Sequence, residues 1–190
     1  MKQKQITFFL AGLVAGVISV SFRSFESPEI TIIGLTWGVG PLFFVAVVAG
    51  MVITGAWRYL RPSFQRYLAG LVLCTITYVV ALIAFFAVDG FSPDWFGFRA
   101  SDNIINFGID VWLGLIAAGA VAASGIALFV ALLTGNWSSS LFLRLLITGL
   151  LTVVLTFIVN LPFQTDWSFL GVLFSLGNGL FCWLAGTHIL

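Results

Sequence analysis

Apolar residues run along this chain in long blocks that do not alternate with polar ones. Read between charges, six such blocks emerge, at 5–22, 30–57, 67–88, 111–134, 145–165 and 167–190. Each is near the roughly 20 residues that an α-helix needs to cross a bilayer. Transmembrane strands alternate apolar and polar residues in runs of about ten, and LVLCTITYVVALIAFFAV at 71–88 does not. In lipid a non-alternating segment satisfies its backbone hydrogen bonds only as a helix. The pattern therefore predicts an all-α integral membrane protein, a bundle of six transmembrane helices over about 6–22, 31–57, 67–88, 110–134, 141–161 and 168–188. One membrane domain, 1–190, accounts for the whole chain. Pairing successive helices gives three consecutive helical hairpins.

Composition agrees. Charged residues make up 8% of the chain and hydrophobic ones 61%, with a mean hydropathy of +1.14. A soluble domain carries roughly 25% charged residues, so lipid is the expected solvent. The net charge of +1 hides an asymmetry. With the N-terminus in the cytoplasm, Lys2, Lys4, Arg58, Arg61, Arg66 and Arg144 fall inside, and Arg23 and Arg99 outside with all seven acidic residues. Six basic residues against two is the positive-inside distribution. Both termini are then cytoplasmic, and the plasma (inner) membrane of a bacterium or archaeon is the expected location.

The first block opens as a secretory signal would, with Lys2 and Lys4 before an apolar core and Ser19-Val20-Ser21 as a small-x-small site. A retained first helix is the expectation, because its removal would leave five helices. Its AGLVAG stretch spaces Ala11 with Ala15 and Gly12 with Gly16 at one helical turn. Small residues at that spacing let another helix approach closely, from this chain or from a partner. Trp37-Gly38-Val39-Gly40-Pro41 interrupts the second block, predicting a kink or a late helix start. Arg58, Arg61 and Arg66, with Trp57, Tyr59 and Tyr67, form a basic turn that fixes topology and can reach lipid headgroups.

Polar groups inside the blocks are few. Thr75 and Thr77 can bond back to their own helix, whereas the phenol of Tyr78 needs a partner. The connection from Asp89 to Asp110 mixes Phe91, Trp95, Phe96 and Phe98 with Asp94 and Asp102. So apolar a segment is expected on the outer interface or folded back as a lid, with a short helix starting near Ser101 or Asp102. Asp110 opens the fourth helix, where the helix dipole favours a carboxylate. The fifth ends near Asn160, and Asn178 sits between two glycines in the sixth. Its amide must find Tyr78, Ser124, a backbone group, water or a ligand, since an unpaired buried amide is costly. Outer turns FESPE, FSPDW and FQTDW echo one another, either as a parallel repeat or as the aromatic and acidic mixture of any outer interface.

Much chemistry is excluded. One histidine cannot make a histidine metal cluster or a bis-histidine haem, and neither metal nor cofactor is expected. Phosphate loops, nucleophile elbows and HExxH are absent. Ser124 and His188 suggest a rhomboid protease, a six-helix family, but His188 is the third residue from the end and Ser124 lies within the bilayer, so the reading fails. Cys74 and Cys182 reach similar depth and are expected as packed, reduced thiols. No enzyme and no nucleic-acid partner is expected.

Two functions fit. The first is a small-solute binding or transport subunit with an outward pocket formed by Tyr78, Asp110, Asn160, Asn178 and Trp95, its acidic outer face favouring a neutral or cationic solute. In size, helix count, orientation and the A-x-x-x-A of Ala11 and Ala15, the chain is similar to the substrate-binding components of energy-coupling-factor vitamin transporters. The resemblance implies a solute-binding membrane subunit and carries no particular substrate. The second function is a non-catalytic structural or assembly subunit whose partners are lipids and other membrane subunits. A cavity of a few hundred Å³ with Tyr78 or Asn178 on its wall would favour the first. A solid bundle with those groups bonded to each other would favour the second.

Overall fold

A computed structural model describes residues 2–21, 28–60, 63–89, 109–160 and 166–190. Every element among the described residues is a helix, with no strands. Six long helices, α1 (Lys2–Ser21), α2 (Pro28–Thr54), α4 (Phe64–Asp89), α5 (Ile109–Thr134), α6 (Ser139–Asn160) and α7 (Asp166–Ile189), are joined by the single turn α3 (Trp57–Leu60) after α2. Six is the number that the apolar blocks predict.

Local chemistry fixes the turns at one end. Gly55 and Gly135 both take a φ of 77°, the left-handed conformation that ends helices and that glycine adopts without a Cβ clash. Gly55 stops α2 at Thr54, and Trp57–Leu60 forms a separate turn instead of continuing it. Ser63 and Ser138 then cap the next helices, accepting bonds from Arg66 N at 3.4 Å and Leu141 N at 3.2 Å. Pro41 does not break or delay α2, which runs through it from Pro28. A Cβ on the neighbouring Gly40 would lie 2.7 Å from the carbonyl oxygen of Cys74, so this stretch is where α4's backbone comes close.

Around the bundle the helices touch in the order α1, α2, α4, α5, α6, α7 and back to α1, closing a ring. The most extensive contacts are α1 with α7 and α4 with α5, and α7 also touches α2 and α5 across the ring. Small residues set the register. Gly70 seats Phe129, Gly125 seats Thr77 and Gly114 seats Phe85, so α4 and α5 run antiparallel. Gly12 meets Cys182 and the backbone oxygen of Asn178, and Gly186 meets Phe8, so α1 and α7 do too. Phe8 is wholly buried between Gly50 of α2 and Gly186 of α7. Around it the core gathers Val47, Met51, Phe129, Val130, Leu133, Leu145 and Cys182. Phe129 adds an edge contact to Phe43, with ring centroids 6.4 Å apart and planes at 69°.

This antiparallel order puts Lys4, Arg58, Arg66, Arg144 and His188 at one end, with the α3 turn and the α5–α6 turn. All seven acidic residues belong to the opposite helix ends or to the connections between them. Along the outside, exposed Ile6, Leu10 and Val14 continue one face of α1, and Leu68, Val72 and Ile76 one face of α4. Among the described residues, two helices are long and apolar enough to cross a membrane, over Phe64–Phe85 and Leu113–Thr134. Gln3–Ser19, Gly40–Thr54 and Ser139–Leu155 are shorter apolar stretches.

Gly119 differs from the packed glycines, because nothing lies within 4 Å of where its Cβ would be. Gly119→Ala should therefore raise stability by about 0.5–1 kcal/mol through helix propensity alone. A thermal melt of the purified protein in detergent checks this.

Candidate functional site

Several hydroxyls in these helices are satisfied locally. Ser19 donates to Ala15 O at 2.8 Å, Thr75 to Leu71 O at 2.9 Å, Ser124 to Ala120 O at 2.8 Å and Thr152 to Thr148 O at 2.8 Å. A hydroxyl one turn along can return its proton to its own helix, so these groups ask nothing of a neighbour. Ser124 is accounted for in this way, while His188 is exposed in the last turn of α7 at the basic end.

Asn178 is the exception. It lies in the middle of α7 and is 8% exposed. Its neighbours hold it between two helices: a Cβ on Gly177 would lie 3.5 Å from Thr152 Cγ2 of α6, and one on Gly179 3.0 Å from Phe9 Cε2 of α1. Residue 178, between those two contacts, is turned toward the interior of the ring. There its Nδ2 is fully buried and finds no acceptor among the described residues, the Tyr78 oxygen included.

Tyr78 is on α4, one turn beyond Cys74 and one before Ala81, both buried. Its ring is partly buried, and its hydroxyl oxygen has lost all contact with solvent. In the ring order α4 stands opposite α7.

Other candidate residues divide. Asp110 and Asn160 are helical, in the first turn of α5 and at the last residue of α6; their side chains lie outside the described residues, as do Trp95, Arg61 and the Phe-rich connection. Ala15 is buried and Ala11 partly buried against the central core, so both pack within the chain. Beside them, Gly12 makes the close approach to α7. Cys74 and Cys182 are buried and free. An apolar crevice of about 10 Å³ opens between α5 and α6, lined by Ile116, Gly119, Ala120, Gly149, Leu150 and Val153 among others. That is room for about one water, and neither Tyr78 nor Asn178 borders it. Among the described residues no cluster of three His, Cys, Asp or Glu could hold a metal ion.

Phe8, Met51 and Phe129 anchor the walls and were not identifiable as such from the sequence, where twenty phenylalanines look alike. No known protein family, curated protein or solved structure matches the chain.

Proposed function

We propose that this chain is a multi-pass membrane protein, a six-helix bundle with the Arg58, Arg66 and Arg144 end in the cytoplasm, that binds or carries a small solute. The membrane reading is supported by the apolar outer rows and by the charge distribution, six of the eight basic residues falling at the end opposite all seven acidic ones and Arg23 and Arg99 beside them. Its expected setting is the inner membrane of a bacterium or archaeon.

The solute reading is carried by one observation, the buried Asn178 Nδ2, which has no acceptor among the described residues. Leaving such a donor unmet costs about 1–3 kcal/mol, a cost that a ligand oxygen would remove. The solute is then a neutral molecule, or a cation with a carbonyl, ether or hydroxyl oxygen, entering from the acidic end past Asp110, Asn160 and Trp95.

Native mass spectrometry of the detergent-extracted full chain tests this: a retained small molecule is expected, and Asn178→Leu should lose it. In ligand-free protein the same substitution should raise stability by about 1–3 kcal/mol, because it removes an unmet donor. A stability loss in the ligand-free variant would show that the amide already has its partner.

A second reading, a structural or assembly subunit of a larger complex, is favoured by Gly119, where nothing lies within 4 Å of the place a Cβ would take and a partner helix has a close approach. Co-purifying membrane subunits without a retained solute would select it.

A further inference from the structure

The basic end breaks a rule that helices usually obey. Cations stabilise helix C-termini and oppose the partial positive charge of N-termini. Here α1, α4 and α6 all begin at this end, none with an acidic residue in its first turn. Instead Lys4 and Arg66 stand in the first turns of α1 and α4, and Arg144 in the second turn of α6, all three exposed. Of the helices that end here, α2 and α5 have no basic residue in their last turns and α7 has only His188. With no acidic residue at this end of the sequence's threading, the charge that complements these positions must come from outside the chain.

We propose that this rim binds the headgroups of anionic phospholipids. The exposed side chains beyond the rim specify a lipid. Arg144 is followed along its own face of α6 by exposed Ile147, Leu151 and Val154, and beyond Lys4 and Arg66 the neighbouring faces of α1 and α4 carry exposed Ile6, Leu10 and Val14, and Leu68, Val72 and Ile76. A charged rim below apolar rows matches headgroups with their acyl chains. Between them the level is marked by exposed aromatics: Trp57, Trp137 at 53% exposure and Phe64 at 80%. Trp137 is held in place by its Nε1–H donating to Ser139 Oγ at 3.3 Å and by Phe142, its ring 6.2 Å away. Indole rings of this kind occupy the headgroup level. A free inorganic anion would use the cations and leave the aromatic and aliphatic rows without purpose.

This inference rests on the membrane part of the proposed function and not on the solute. The full chain is reconstituted in nanodiscs containing equal amounts of phosphatidylcholine and phosphatidylglycerol, and the lipids retained on the released protein are weighed. Phosphatidylglycerol should be retained preferentially. Because each basic residue near an anionic surface is worth about fivefold in affinity, the R66Q/R144Q double variant should lose about 25-fold of that preference. High salt should weaken it as well. Equal retention of the two lipids by the unsubstituted chain would overturn the inference, as would an unchanged preference in the double variant. Displacement of phosphatidylglycerol by millimolar inorganic phosphate would overturn the choice of lipid over free anion. Helicity by circular dichroism and co-elution with the disc are read first: a chain that does not enter discs defeats the membrane reading itself, whereas one that enters without preference defeats only this inference.

Discussion

Replacing Gly12 by leucine should separate α1 from α7 and lower stability by about 3 kcal/mol, the upper part of the range for overpacked cores. Even the first added carbon would lie 2.7 Å from Cys182 Cβ and 2.8 Å from its Sγ, and against the backbone oxygen of Asn178. Neither a Cβ nor a carbonyl can swing aside as the tip of a long side chain would, so the helices themselves must move. Between helices solvated by lipid the hydrophobic effect offers no counterweight, because association depends on close packing. A detergent melt should show a large fall in midpoint for Gly12→Leu beside the rise expected for Gly119→Ala. Equal tolerance of both would mean that α1 does not lie on α7 as described.

Phe8→Ala is the second large effect. The ring of Phe8 is wholly buried, filling the space that Gly50 and Gly186 leave. Truncating a buried phenylalanine typically costs about 3–5 kcal/mol, part transfer and part cavity. For a chain that unfolds within lipid the transfer part shrinks and the lost dispersion contacts remain, so about 3 kcal/mol is expected. Phe64→Ala, at an 80% exposed ring, should change the melting midpoint little. The pair separates burial from residue type, and comparable losses at both positions would contradict the packing.

The positions of the six helices were legible because charges and turn residues bracket the apolar runs. Gly135 and the serines after it announce a stop and a start in the residues themselves. Pro41 was harder to read: a proline can end a helix, but it can also be carried within one whose neighbours compensate, and that depends on α4 rather than on residues 37–41. Lateral order was not legible. The small residues of AGLVAG announce a close approach without naming the helix that makes it, and only the folded chain pairs Gly12 with Cys182.

Of the candidate site, Asn178 and Tyr78 stood out early, since polar groups in apolar runs have few explanations. That the hydroxyls of Ser124 and Thr152 bond to their own helices, while the Asn178 amide meets no acceptor among the described residues, is a matter of three-dimensional placement.

Closure of the ring by α1 against α7 has a consequence for biogenesis. The helix translated early finds its broadest neighbour in the one translated late, so its glycine face has no mate until the intervening helices have been made. Contacts so distant along the chain slow folding, and in the interval that face is open to chaperones, to stray helices or to a second nascent chain.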